Sequence, residues 1–158
     1  MVRALACAAV CLLQFLTGGM AVNDLNVYLR NADAVCIYSE GESISYMSGS
    51  EQYALFLQAW EGMTENAVRM PAFGVSIDRL TREEMQRGLW AEFRFSAPQI
   101  CANMPFERLL FKVEPEYRGF NLVRYSGGKY EGRCYYIDLR EGDMRSFSET
   151  LRLLLSMR

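Results

Sequence analysis

The chain contains no histidine in its 158 residues. This absence excludes Ser-His-Asp and Cys-His catalytic pairs, zinc sites with histidine ligands and HExxH hydrolases. A strong charge of either sign is also lacking, because 17 Lys and Arg face 19 Asp and Glu, which leaves a net charge of −2. A balance this close to zero gives no electrostatic reason to expect a nucleic-acid partner, and we expect none.

Motifs for cofactors and metals are missing as well. No CxxC pair follows residue 21, so neither a zinc ribbon nor a thioredoxin-type site is predicted. Gly127-Gly128-Lys129 lacks the spacing of a phosphate-binding loop, and the acidic residues near Asp138 lack the spacing of a calcium loop. We therefore predict no cofactor and no metal ligand, and we favour a protein that is not an enzyme.

Apolar residues are plentiful, at 51% of the chain, and aromatic residues make up 13%. A chain of this length and composition forms one folded domain with a real core. We place that domain at residues 22–158 and treat the residues before it separately.

The first 21 residues have a composition of their own. Arg3 gives a positive start, residues 4–16 are apolar with one exception, and the small residues Gly19 and Ala21 follow. This order is typical of a secretory signal peptide cleaved after Ala21, and the apolar stretch is too short to span a bilayer. We therefore expect an exported, secreted protein whose mature chain has no transmembrane span.

Two alternatives to a signal peptide stay open. Translation from Met20 would give a cytoplasmic protein without a leader, and the apolar residues could instead form an N-terminal helix that packs on the domain. The cysteines after the leader do not decide the matter. Cys36 and Cys134 lie in apolar, strand-like runs, where cysteine acts as a small hydrophobe. Reduced core cysteines fit best, and a Cys36–Cys134 disulfide that leaves Cys101 free is the alternative in an exported protein.

The first half of the domain predicts a short helix, a hairpin and a long helix. Residues 24–29 favour the short helix, and the strands 34–38 and 43–47 flank a polar turn. Ser50 is a helix cap for residues 51–68, where apolar side chains recur every three or four residues.

The second half predicts five strands and two helices. After a strand at 73–77, Thr81 and Glu84 match a capping box for a helix from Arg82 to Gly88. Alternating apolar residues then predict four further strands, and a loop separates the first two of these. A C-terminal helix with an apolar stripe begins near Ser146. The strands and the loop are, in order, strand 89–95, loop 96–105, strand 109–113, strand 119–125 and strand 130–139. The short connections favour an α+β fold, an antiparallel sheet of hairpin plus four-strand meander with the long and C-terminal helices packed on one face.

The outward face of the meander is the candidate binding surface. Alternation places Glu92 and Arg94 on one side of the first strand, with Arg108 and Lys112 on that side of the second. Arg124 and Arg133 join them if the register allows. Arginine forks bind carboxylate, phosphate or sulfate groups, and the many tyrosines between residues 117 and 136 suit a protein or glycan surface. These four arginines are the predicted ligand-binding residues. The competing interpretation is a solvated sheet face with cross-strand Glu–Arg pairs.

The sequence thus favours a small, non-enzymatic binding domain whose partner is another protein, an anionic small molecule or a glycan. One alternative is a small enzyme that works through a carboxylate or a thiol, with Glu92 and Cys134 as its candidate groups. A further alternative is a subunit of a larger assembly, which would bind through the amphipathic C-terminal helix.

Overall fold

The computed structural model describes residues 20–72 and 74–157, so the predicted leader lies outside the described residues except for Met20 and Ala21. The described residues form four helices and ten strands. The helices are α1 Asn23–Leu29, α2 Glu51–Thr64, α3 Asp78–Glu84 and α4 Arg145–Ser156. The strands are β1 Met20–Ala21, β2 Ala34–Ser39, β3 Glu42–Met47, β4 Val68–Met70, β5 Val75–Ser76, β6 Leu89–Cys101, β7 Met104–Val113, β8 Gly119–Tyr125, β9 Gly132–Arg133 and β10 Tyr135–Asp138.

Eight of these strands form one sheet in the order β1-β4-β10-β8-β7-β6-β2-β3, and the short strands β5 and β9 pair with each other. Every neighbouring pair is antiparallel. The predicted α+β fold with an antiparallel sheet is confirmed. The hairpin β2–β3 extends the sheet beside β6, and β6, β7, β8 and β10 lie side by side as the predicted meander.

The long helix α2 and the C-terminal helix α4 pack together on one face of the sheet. Phe56 and Trp60 of α2 contact Phe93 of β6 and Phe147 of α4, with ring centroids 5.1 to 6.3 Å apart. The indole N–H of Trp60 donates to Asn26 Oδ1 at 2.9 Å, so its one polar group is satisfied inside the core. This packing buries the apolar stripe of α4.

The opposite face of the sheet is covered in part by the short helix α3 and the β5–β9 pair. A second, smaller core lies beneath them and contains Met85, Trp90, Leu110, Val123, Tyr130 and Cys134. The expectation that helices pack on one face only is therefore too simple. Leu110 lies between Arg108 and Lys112 on β7, and such an apolar residue on the outward side needs a cover.

The first boundary that differs from prediction is the end of the long helix. The pattern predicts helix up to residue 68, but α2 ends at Thr64, and Val68–Met70 form β4. β4 pairs with β10, where Ile137 lies opposite Arg69. The pairing partner lies 68 residues later in the chain, so the local apolar spacing carries no sign of it.

The capping box predicted at Thr81 is wrong, because α3 begins at Asp78, four residues before the predicted start at Arg82, and ends at Glu84 rather than near Gly88. The Thr81 N–H donates to the carbonyl of Ile77 at 3.0 Å, so Thr81 lies within the helix. The Asp78 carboxylate accepts the N–H of Tyr130 at 2.8 Å and the Nε–H of Arg82 at 2.9 Å. These contacts tie the first turn of α3 to the segment between β8 and β9.

The remaining differences lie in the strands. The predicted loop 96–105 instead continues β6 and β7 to a tight turn at Ala102 and Asn103, both with positive φ. The predicted strand 130–139 is split into β9 and β10 at Cys134, whose N–H donates to the carbonyl of Gly74 at 2.8 Å. Of the predicted strand 73–77, the structure describes residues 74–77, and only Val75–Ser76 form a strand. No described helix has the length and apolar character needed to cross a membrane.

Candidate functional site

The sheet face under α3, which we name the α3 face, contains two of the four predicted ligand-binding arginines, Arg94 and Arg108. Strand register arranges their side chains in rows across β6, β7 and β8. Trp90 lies opposite Lys112 in the first row, and Glu92 lies opposite Leu110 in the second. In the third row Arg94 lies opposite Arg108. Leu110 of the middle row is buried in the second core together with Met85, which follows α3. A groove lies on the Lys112 side of this row and an arginine–tyrosine cluster on the Arg94 side.

Glu92 is the centre of that cluster, and it is completely buried. Its Oε2 accepts the Tyr38 hydroxyl at 2.8 Å and the Arg94 Nε–H at 2.6 Å, while its Oε1 accepts the Tyr130 hydroxyl. Arg94 also donates from Nη2 to the Tyr38 oxygen at 2.6 Å. Each carboxylate oxygen therefore has a hydrogen-bond donor, which a buried charge requires.

The environment fixes the protonation of the groups around Glu92. Burial, together with the charge of Glu92, raises the pKa of Tyr38 and of Tyr130 above the usual tyrosine value, so both hydroxyls keep their protons and act as donors. Burial alone would lower the pKa of Arg94, but the hydrogen bond and charge of Glu92 outweigh it and raise that pKa. The cluster is thus a fixed set of donors around one carboxylate.

Two further arginines extend the cluster through aromatic rings. The Arg108 guanidinium lies 4.4 Å from the ring centroid of Tyr125, and the Arg82 guanidinium lies 5.2 Å from that of Tyr130. The rings of Tyr125 and Tyr130 meet edge to face, 4.9 Å apart. We name Tyr38, Arg82, Glu92, Arg94, Arg108, Tyr125 and Tyr130 together the Arg–Tyr cluster.

The charges of the Arg–Tyr cluster do not cancel. Arg94 pairs with Glu92 at 2.6 Å, and Arg82 pairs with Asp78 at 2.9 Å. Within the described part of the chain, no carboxylate lies within ion-pair distance of Arg108. Of these three guanidinium groups, that of Arg108 therefore has no compensating carboxylate, and Arg108 lies opposite Arg94 on the neighbouring strand.

The structure separates the other two predicted arginines from this pair. Arg124 lies opposite Leu109 on β7, which places it on the face that α2 and α4 cover. Its guanidinium donates to the carbonyls of Arg133 and Pro105, at 2.7 Å each. Arg133 itself lies on the exposed strand β9. The sequence left the register of Arg124 and Arg133 open, and ligand binding by any of the four arginines stays a prediction.

The two groups considered for an enzyme are inaccessible. Glu92 is completely buried, and its oxygens are used by Tyr38, Arg94 and Tyr130. The Cys134 thiol is buried as well, and burial raises its pKa, which disfavours the reactive thiolate. Cys36, Cys101 and Cys134 all have free thiols. These positions suit structural roles, since a reacting group must touch its substrate.

Sequence reasoning missed a groove on the other side of α3, which we name the α3 groove. It has a volume of about 400 Å³ and lies between α3, β5 and the sheet. Its rim carries exposed apolar side chains, and their exposed fractions are 76% for Val75, 57% for Ile77, 43% for Leu80 and 41% for Tyr117. The alternation Val75-Ser76-Ile77 was the available signal, because it places two apolar residues on one side of a short strand.

Known proteins offer no guide to the role of either site. No protein-family model, no curated protein and no solved structure matches this chain.

Proposed function

We propose that this chain is a non-enzymatic binding domain that holds an anionic group against the Arg–Tyr cluster. The ligand is a small molecule with a carboxylate, phosphate or sulfate group. The observation that carries the proposal is the position of Arg108, a half-buried guanidinium directly opposite Arg94 and without a carboxylate partner among the described residues.

An anion at this position would relieve an unfavourable arrangement. Like charges opposite each other on neighbouring strands destabilise a sheet, and Glu92 compensates only one of the two guanidinium groups. The Tyr125 ring supports one plane of Arg108, and the Tyr130 hydroxyl is a side-chain hydrogen-bond partner of the same guanidinium, so the ligand is assigned to the N–H groups that remain. Hydrogen bonds from a guanidinium to an anion are charge-assisted and can be bidentate.

Arg94 is the second contact, and its geometry is set in advance. Glu92 and Tyr38 hold its guanidinium from two sides, and its side chain is still 33% exposed. A held side chain loses little conformational entropy when a ligand binds. The ligand therefore meets one fixed arginine, Arg94, and one that is stacked on a ring, Arg108.

The test is a titration of the full domain with inorganic phosphate at constant ionic strength, followed by NMR of the arginine Nε–Hε groups. We expect saturable shifts at Arg94 and Arg108 in the native protein. Arg108→Gln should weaken binding about tenfold or more, the size of a lost charge-assisted hydrogen bond.

Arg152→Gln is the matched control, because Arg152 is an exposed arginine on α4. This variant should bind phosphate like the native protein. Equal weakening in both variants, or shifts that never saturate, would show only general charge attraction and would contradict the proposal. Acetate and sulfate, titrated in the same way, identify the preferred class of anion.

A further inference from the structure

We infer that the α3 groove is a second binding site and takes a small, uncharged, mainly apolar molecule. This site goes beyond the proposed anion site. Arg108 and Lys112 lie four residues apart on β7, a distance of about 13 Å along a strand, so the two sites do not share their contact residues. The inference rests on the rim, the charge, the floor and the size of the groove.

The rim gathers an unusual share of the exposed apolar surface. Ten large hydrophobic residues of the described chain are exposed, and four of them, Val75, Ile77, Leu80 and Tyr117, line this one groove. Single exposed hydrophobic residues are ordinary, whereas a cluster of them around a concave surface marks a binding site. Trp90 and Val123 continue the apolar lining below the rim.

The charges of the groove favour an uncharged occupant. Among the described lining residues, the charged ones are Glu84 and Lys112, one of each sign. The Lys112 ammonium is already bound to Glu114 at 3.0 Å, and that hydrogen bond raises its pKa. The charge of Glu84 also acts on Lys112, so an anionic ligand would lose hydration without a free counter-charge, and a cationic ligand would compete with Lys112 for Glu84. Thr81 and Asn121 offer uncharged hydrogen-bonding groups for one polar end of the ligand.

The floor of the groove depends on a glycine. A Cβ on Gly119 would lie 2.2 Å from the Tyr136 hydroxyl oxygen and 3.0 Å from the carbonyl oxygen of Ile137. Only glycine at this position lets the Tyr136 side chain lie across β8 beneath the groove. Glycine inside a strand often marks such a close approach. A larger residue here would push Tyr136 into the space that we assign to the ligand.

The size of the groove separates a small molecule from a macromolecule. A volume of about 400 Å³ lies near the lower end of the range of small-molecule sites, roughly 300–1,000 Å³. A second copy of the chain or a folded partner would need a much larger apolar area than four rim residues provide.

The experiment titrates the full domain with N-phenyl-1-naphthylamine, a neutral, apolar fluorophore with one N–H group. We expect saturable binding of one probe per chain and quenching of the tryptophan emission, since Trp90 lines the groove. Leu80→Gln should weaken binding about fivefold or more through lost apolar contact. Leu153→Gln is the matched control, because Leu153 is a helical leucine that is 56% exposed and lies on α4.

Three outcomes would overturn the inference: no saturable binding, equal weakening in both leucine variants, or a chain dimer that Leu80→Gln dissociates. The last outcome would assign the groove to a second copy. Both leucines are exposed, so neither variant depends on repacking the core. Arg108→Gln should bind the probe like the native protein, which keeps a failure of the anion site distinct from a failure of the groove.

Discussion

Glu92 is buried and has three hydrogen-bond donors, although its position on the strand predicts an exposed charge. Glu92 lies between Trp90 and Arg94 on β6, where alternation predicts an outward charge. It is instead completely buried, and Tyr38, Arg94 and Tyr130 satisfy its oxygens. The residue type and its sheet face were predictable, but its burial was not, because the cover comes from distant segments.

We expect Tyr130→Phe to lower the free energy of unfolding by about 1–3 kcal/mol at neutral pH, since Glu92 loses a buried hydrogen-bond donor. The variant should also change the response to alkali. Folding raises the pKa of Tyr130, so the hydroxyl favours the folded state fully below about pH 10 and less as the pH rises above that value. Above pH 10, each such tyrosine lowers the free energy of unfolding by about 1.4 kcal/mol per pH unit.

Urea unfolding of both proteins at several pH values measures these effects. The native protein should lose stability more steeply above pH 10 than Tyr130→Phe. Tyr117→Phe, at an exposed tyrosine, is the control and should follow the native curve. Parallel curves for native protein and Tyr130→Phe would contradict the assigned role of Tyr130.

At the scale of elements, the start of α2, which neighbouring residues specify, formed as predicted. Ser50 precedes α2 in extended conformation, and its Oγ accepts the N–H of Tyr53 at 3.1 Å. This cap was predicted from the residues alone, because capping involves neighbours in the chain. α3 is the contrasting case, since contacts of Asp78 with Tyr130, far along the chain, hold its first turn.

We expect Ser50→Ala to lower the free energy of unfolding by about 1 kcal/mol, the usual contribution of a serine N-cap. The measurement is urea unfolding at neutral pH. Ser146→Ala is a matched control, because Ser146 is exposed in the first turn of α4, which has no side-chain cap. Equal losses in the two variants, or no loss in Ser50→Ala, would show that the Ser50 cap does not stabilise the start of α2.

At the scale of the whole molecule, export remains a proposal, and the structure shows only what cleavage after Ala21 would remove. Met20 and Ala21 form β1 and pair with Arg69 and Val68 of β4. Val22 is buried, and its carbonyl accepts the N–H groups of Leu25 and Asn26. Cleavage after Ala21 would therefore remove β1 but keep the start of α1 and its core contact.

We expect the intact mass of the native protein, taken from the outside of its own cells, to correspond to a chain that begins at Val22. Non-reducing conditions should show three free thiols, as the buried cysteines have in the structure. A chain inside the cell that begins at Met1 or Met20 would contradict export. A mass lower by about 2 Da would instead reveal a disulfide, which needs two cysteines within reach of each other.

The sequence by itself determined the α+β class, the hairpin β2–β3, the meander, the cap at Ser50 and the sheet face shared by Glu92 and Arg94. All of these follow from spacing along a short stretch of chain, where side-chain alternation and helical periodicity act. Only the tertiary structure decided the strand register, which placed Arg124 on the other face, and the position of α3 over Leu110 and Val123. Contacts between distant segments set these features, and through them the Arg–Tyr cluster and the α3 groove.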